Sequence, residues 1–268
     1  MKIEYYFKDF KPKALTMSYD DGAKYDRKLV EIFDRYGIRG TFHLNSGRFG
    51  DDWAITEAEI PTLYRNHEVS CHTVSHFHPD RIPTAAFVNE IYRDRETLEK
   101  ACGYIVRGMS YPYGVWTGDA VKILRAIGMK YSRTTNTTKS FYLPDDFMIW
   151  NPTCHHDNPA LFELLENFKN LTGAHRMSLM YVWGHSHDLD RNGNWDRIEK
   201  FCAEASGMED VWYATNIEIC DYVTAMRCLE LSADGTMIYN PSATSVYIKA
   251  DGRELVIEGG KTVNFAER

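Results

Sequence analysis

From residue 14 to about residue 225 the chain alternates short apolar runs with amphipathic segments, and no other feature constrains the fold as tightly. A buried strand followed by a helix with one apolar face is a βα unit, and its repetition builds a parallel sheet covered by helices. Residues 14–19, 40–44, 68–71, 106–111, 179–183 and 211–214 read as strands, with shorter candidates at 131–133 and 148–150. Between them, residues 26–36 place Leu29, Ile32, Phe33 and Tyr36 on one helical face, and residues 84–101 do the same with Phe87, Ile91 and Leu98. Further helices are predicted over 119–127, 159–171, 196–205 and 217–228. Thr56-Glu57-Ala58-Glu59 has the form of a capping box opening a helix through Arg65. Gly103 and Gly128 stand where C-terminal caps belong, and Asn158-Pro159 where a helix starts.

Seven or so strands in 268 residues predict an α/β fold, a distorted or incomplete (β/α) barrel of about seven parallel strands. No G-x-G-x-x-G follows the first strand, which removes the main support for a dinucleotide-binding sheet. After Leu231 the pattern changes. Ser232-Ala233-Asp234-Gly235, Asp251-Gly252 and Gly259-Gly260 separate short alternating runs, the signature of hairpins. Residues 1–228 are therefore expected to form the barrel, and residues 229–268 a small antiparallel appendage without a core of its own.

The formal charge of −7 includes no basic cluster of the kind that tracks a phosphate backbone, which argues against a nucleic-acid partner. No segment has the length and apolarity to span a bilayer, and the first eight residues lack the apolar centre of a signal peptide. A cytoplasmic protein without a membrane partner is the expectation. Six cysteines occur without a C-x-x-C pair, so buried free thiols are expected. The sequence leaves the oligomeric state open.

Three polar segments fall at the C-terminal ends of predicted strands, the face on which βα barrels assemble their sites. In Ser18-Tyr19-Asp20-Asp21-Gly22 two adjacent carboxylates point in different directions, so one can bind a metal while its neighbour faces a water. In His72-Thr73-Val74-Ser75-His76 two imidazoles four residues apart can converge on one ion. With a carboxylate from another strand end they complete a two-histidine, one-carboxylate set that leaves coordination positions open, which suits hydrolysis. The third, Tyr181-Val182-Trp183-Gly184-His185-Ser186-His187-Asp188, ends the most apolar strand and delivers a histidine, His185, able to act as an acid.

These segments, with Tyr111-Pro112-Tyr113-Gly114 between the second and third, occur in an order that resembles the NodB-like polysaccharide deacetylases, carbohydrate esterase family four. The resemblance covers roughly residues 14–190. It implies Asp20 as catalytic base, Asp21, His72 and His76 as metal ligands, the Tyr113 backbone N–H as oxyanion donor and His185 as the acid that protonates the leaving amine. It further implies one divalent ion, zinc or another divalent transition metal, and the removal of N-acetyl or O-acetyl groups from an acetylated saccharide.

Two departures stand out. The family's arginine three residues before the motif tyrosine is here Ser110, with Arg107 lying one turn too early. Its acid-steadying Asp-and-Trp motif has only the loosely spaced Asp145-Asp146 and Trp150. The same ligand set would also serve a non-sugar amidohydrolase acting on small amides or ureides. An inactive carbohydrate-binding protein is the reading from another class, and it predicts a damaged set of site residues. His155 and His156 follow a predicted strand end, where they either line the cleft or sit in a surface loop preceding a helix, and His187 is a second candidate for the acid. Trp116, Trp183 and Trp195 also fall near the predicted active face, where they could stack on a sugar.

Overall fold

The computed structural model describes residues 2–171 and 177–265. Its spine is β2 (Lys13–Asp20), all eight residues of which are buried. Along one edge β2 pairs in parallel with β8 (Ser178–His185) over its whole length. The other edge is shared. Residues Met17 to Asp20 pair with β3 (Gly40–Leu44), and Lys13 to Leu15 with the short β9 (Val211–Tyr213). The sheet continues from β3 through β4 (Glu68–Cys71) and β5 (Gly108–Ser110) to β6 (Tyr131–Arg133), and on the far side of β8 to β7 (Cys154–His155). Every one of these pairings is parallel.

β6 and β7 end the path without pairing, so the barrel is incomplete. The chain between them crosses the gap: Arg133 bridges Trp150, and Thr153 N–H donates to the Tyr181 carbonyl. The strand expected over 148–150 is instead largely a 3-10 turn, Phe147–Ile149, opened by an Asp146 side chain that accepts the Met148 N–H at 2.9 Å. A side-chain bond to the neighbouring backbone competes with the ladder that a strand there would need.

The helices α1 (Asp26–Tyr36) and α3 (Thr84–Cys102) bury the faces read from their periodicity, and α5 (Leu161–Lys169) and α7 (Trp195–Ala205) each bury an apolar face beside them. Leu29, Ile32, Phe33, Phe87, Ile91, Leu98, Leu165, Phe168, Ile198 and Phe201 join one apolar layer with Leu15 and Met17 of β2. The capping box at Thr56 forms, but it opens a 3-10 turn followed by the single-turn α2 (Ile60–Leu63). Between α3 and α5 lies α4 (Gly118–Ala126). The short α6 (Ser186–Arg191), unexpected from the sequence, follows β8 without an intervening loop, and α8 (Asn216–Arg227) closes the series.

The opposite face of the sheet is polar. Thr16, Ser18 and Asp20 of β2, Thr41 and His43 of β3, and Glu68 and Ser70 of β4 are buried inside the barrel at alternate positions. Glu68 accepts from Thr41 Oγ1 at 2.9 Å, Tyr131 OH at 2.7 Å and the Ile217 N–H at 2.8 Å. Burial pushes its carboxyl up to about 7. Above it, His43 Nε2 meets Ser18 Oγ at 2.9 Å.

A second apolar cluster lies under α8, where Ile219, Tyr222 and Val223 meet Phe7, Trp150 and Tyr181. The C-terminal segment contributes Ile238, Val246, Ile248 and Ile257 to it. The N-terminal strand β1 (Ile3–Tyr6) pairs antiparallel with β12 (Val246–Ala250), which pairs with β13 (Arg253–Ile257). A further sheet joins β10 (Glu230–Leu231), β11 (Met237–Tyr239) and β14 (Thr262–Asn264). All six cysteines are free thiols, four of them buried. Among the described residues no helix is long and apolar enough to cross a membrane.

Candidate active site

Asp20 is the last residue of β2 and points into the barrel, buried. The chain then turns at once. Asp21 adopts φ 79° and donates its N–H to the His43 carbonyl at 2.9 Å, and Gly22 follows at φ 65°. A left-handed backbone costs a non-glycine residue about 1–3 kcal/mol, and it persists only where the surroundings fix it. Thr73, His76 and Tyr113 share this conformation, so half of the eight non-glycine residues with positive φ among the described residues lie in the motifs singled out above.

The turn separates the two carboxylates. Asp21 Oδ1 lies 3.6 Å from His72 Nε2 and 3.7 Å from His76 Nε2. Oxygen and nitrogen donors held tetrahedrally around a zinc-sized ion stand about 3.4 Å apart, so both carboxylate–imidazole spacings suit such an ion, and all three donors lie within 4.8 Å of one another. The second nitrogen of His72 is tied down: Nδ1–H donates to the Ser110 carbonyl at 2.9 Å and lies 2.6 Å from Ser110 Oγ. That leaves the Nε2 lone pair directed at Asp21, the usual orientation of a metal-binding imidazole. Burial first, and then the neighbouring His72, push His76 down to about 4, which keeps its ring neutral and able to coordinate.

The loop carrying both histidines is fastened from outside. Asp94 of α3 accepts the His72 N–H at 3.0 Å and the Ser46 N–H at 2.8 Å. Asn45 Nδ2 donates to the carbonyls of His72 at 2.6 Å and Thr73 at 2.9 Å. Glu90 accepts the Ser75 N–H at 2.8 Å.

Asp20 has different company. Arg133, the last residue of β6 and fully buried, forms an ion pair with its Oδ2, and Ser110 Oγ donates to its Oδ1 at 3.0 Å. The guanidinium lies over the Trp183 ring, 4.4 Å from its centroid, and donates to the Thr134 carbonyl at 3.0 Å. Burial works against the charged form of Asp20, but Arg133, then His72, His43 and His185, outweigh it and hold the carboxyl far below the ordinary range. Arg107 is elsewhere, in a two-bond pair with Asp221 of α8.

His185, the last residue of β8, faces Asp21 Oδ2 from across the cleft at 4.0 Å. Because α6 begins at the next residue, Asp188 returns one helical turn later and takes His185 Nδ1 at 2.9 Å. Arg191 donates to the other oxygen of Asp188 at 2.5 Å, and Asp26 anchors the turn by accepting from Ser186 Oγ at 2.5 Å. Burial disfavours a charged His185, yet the Asp188 hydrogen bond and the charges of Asp20 and Asp21 prevail and raise its pKa. Burial also opposes the charge on Asp188, but His185 carries its carboxyl down to about 2.

The other sequence-selected residues divide. Tyr113 stands at the rim, its ring stacked on His78 at 3.7 Å and edge-on to His76 at 4.5 Å. His187 Nδ1 lies 3.9 Å from Asp21 Oδ2. His155 packs against Trp183 and comes within 3.9 Å of Asp188. His156 does not line the cleft. It is buried, stacked on Tyr19, and fills the space beside Gly184, where any side chain would run into its ring. Asp146 pairs with Arg125, Trp150 packs on Tyr181, and Trp195 lies under Lys28, so none of them touches His185. Trp116 is exposed.

Sequence reasoning missed Arg133 and the role of Asp188. The first had one visible signal, an arginine ending a predicted barrel strand. The second had another, an acid one helical turn after a strand-end histidine.

An open parallel (β/α) barrel thus carries a histidine–carboxylate cluster at the C-terminal ends of its strands. The family model for polysaccharide deacetylases matches residues 7–132, somewhat under half of the chain. A chitin deacetylase from Pestalotiopsis sp is 22% identical over 63% of this chain and 53% of its own length. A probable peptidoglycan-N-acetylglucosamine deacetylase from Arthroderma benhamiae is 26% identical over 37% of this chain and 23% of its own. The chain thus spans about half of the first relative and a quarter of the second. Among solved structures, a Mycobacterium smegmatis protein classed with the polysaccharide deacetylases superposes with a TM-score of 0.62 at 19% identity, covering 84% of this chain and 94% of that one. A mutant Bacillus anthracis pseudoenzyme of carbohydrate esterase family four, with restored enzymatic activity, gives 0.51 at 16% identity, covering 77% and 67%. At such identities these likenesses speak for the fold.

Proposed function

We propose that this chain is a metal-dependent hydrolase that removes acetyl groups from acetylated saccharides, N-acetylated ones first. The observation that carries the proposal is the division of labour between adjacent carboxylates: Asp21 faces two imidazole nitrogens, while Asp20 is claimed by Arg133 and Ser110.

A divalent ion held by Asp21, His72 and His76, with zinc the first candidate, would supply Lewis acidity at the acetyl carbonyl. The protein's own groups account for the rest. Asp20 stays deprotonated through its ion pair and takes up the proton of the attacking water. Arg133 and Ser110 fix its two oxygens, so the base cannot swing toward the ligand histidines. Tyr113, packed against His76, offers its backbone N–H to the developing oxyanion. His185 keeps its proton to higher pH because Asp188 takes the Nδ1–H, and it delivers that proton to the departing nitrogen from Nε2.

A serine at position 110 leaves the base without an arginine from that strand, a departure that would favour small amides or ureides as substrates. Arg133 supplies that guanidinium from the next strand, which favours the saccharide reading. The undamaged base, ligand and acid set likewise speaks against an inactive binding protein. The test is acetate release by zinc-replete protein from N-acetylglucosamine oligomers and acetylated xylan, run beside small cyclic amides. Release from the sugars is expected. Turnover of the amides alone, or saccharide binding without turnover, would reject the proposal.

A further inference from the structure

Two buried side chains meet across the open side of the barrel. Arg133 ends β6, one of the two strands at which the sheet path stops, and Trp183 stands on β8, next to β7 at the other end of that path. The guanidinium of Arg133 is held at few points. Nη2 pairs with Asp20, Nη1 donates to the carbonyl of the neighbouring Thr134 at 3.0 Å, and Nε is buried with no hydrogen-bond partner among the described residues. What remains is the Trp183 ring, whose centroid lies 4.4 Å from the guanidinium carbon.

The indole is not fastened through its own donor either. Its Nε1 is buried without a partner among the described residues, although a buried tryptophan usually finds one. Its contribution is therefore the ring face. Tryptophan is the strongest cation-binding aromatic, arginine stacks readily on such faces, and the attraction grows when both groups leave water. Arg133 is fully buried and Trp183 only 9% exposed, which leaves little of the ring for a sugar. The ring also touches the other half of the site: it lies edge-on to His185, 5.5 Å between centroids.

We infer that Trp183 is a positioning residue for the base. By stacking on Arg133 across the gap between β6 and β7, it holds the guanidinium against Asp20 in place of the strand pairing that would otherwise fix β6 there.

The stack exists whatever the reaction, whereas its effect on rate rests on the proposed role of Asp20. The test is a pair of double-mutant cycles on the zinc-replete full chain, built from Trp183→Leu, Arg133→Met and the double variant. In urea unfolding, the double variant should be less destabilised than the two single changes combined predict, by at least about tenfold in the unfolding constant. In kcat/KM at pH 6, Trp183→Leu should lose about threefold to tenfold in the wild-type background and less than about twofold in the Arg133→Met background. In the His185→Ala background it should lose as much as in wild type, because the effect runs through Arg133 and not through the acid. Trp183→Phe, the milder change, keeps an aromatic face and should retain at least about half of kcat/KM. Additive effects in either cycle, a loss that disappears with His185→Ala, or a Trp183→Phe variant as impaired as Arg133→Met overturns the inference. If unfolding shows the coupling but wild type releases no acetate from any acetylated saccharide, the stack stands and the proposed function fails.

Discussion

Replacing Arg133 with methionine tests how Asp20 is kept charged. Both partners are buried, and deleting one member of such a pair costs roughly 3–5 kcal/mol because it strands the other charge. Asp20 can avoid part of that cost by taking up a proton. The protein contains its own benchmarks: Asp26 and Asp94 are buried carboxyls hydrogen-bonded without a cation, and burial pushes each to about 7. Asp20 would keep the Ser110 bond and the nearby imidazoles, so its pKa should rise toward that value and not beyond it. A base with a pKa near 7 is about one-tenth ionised at pH 6, so kcat/KM should fall roughly tenfold there and recover above about pH 8. Stability should change its pH dependence as well. In wild type the depressed Asp20 pKa contributes stability that is present above the unfolded value of about 3.9 and lost as pH falls through the folded value. In the variant the folded pKa lies above the unfolded one, so the deficit relative to wild type grows as pH rises from about 4 to 7. The assays are kcat/KM across pH 5–9 and urea midpoints at pH 5 and 8, on zinc-replete protein. A variant whose rate stays at the wild-type level down to pH 5 would refute the role given to Arg133.

Asp20→Asn should keep the metal and lose about 10²–10⁴-fold in kcat, whereas Asp21→Asn, His72→Ala and His76→Ala should lose the metal; elemental analysis and kcat on the same preparations distinguish the two outcomes. Asp188→Asn should lower the raised pKa of His185 and move the high-pH limb of kcat/KM downward, while His185→Ala should retain the ion with a reduced rate. Exhaustive chelation should abolish activity, with recovery on adding back one equivalent of zinc; full activity in verified metal-free protein would end the mechanism. Ile248→Ala, in a fully buried position of the C-terminal segment, should cost about 2–5 kcal/mol in denaturant unfolding and leave the metal content unchanged.

The alternation of apolar runs and amphipathic segments was enough to specify a parallel barrel. Burial of helical faces such as Leu29, Ile32 and Phe33, and of the outward face of β2, follows from local periodicity alone. The site segments were visible because each is contiguous, so Asp20-Asp21 and the His72/His76 pair carry their spacing in the chain itself. The N-terminal strand was not legible, because its partner β12 lies more than two hundred residues away and the short run Ile3–Tyr6 has no period of its own to declare it. Residues 148–150 misled because Met-Ile-Trp has strand composition, while the deciding contact is the cap from Asp146.

What only the tertiary structure decided is which groups support the chemistry. A strand's two-residue period says that Arg133 and Tyr131 share a face, but not whether that face looks inward. Closure of β5 and β6 onto the sheet settles it, and so brings Arg133 to an aspartate 113 positions earlier in the chain. Asp188 meets His185 only because a helix starts without a loop after β8, and the Asp26 anchor on Ser186 that holds this start is itself a contact across 160 positions. The sequence determined which residues could react; their pairing depended on register and closure, which are properties of the whole sheet and of no single segment.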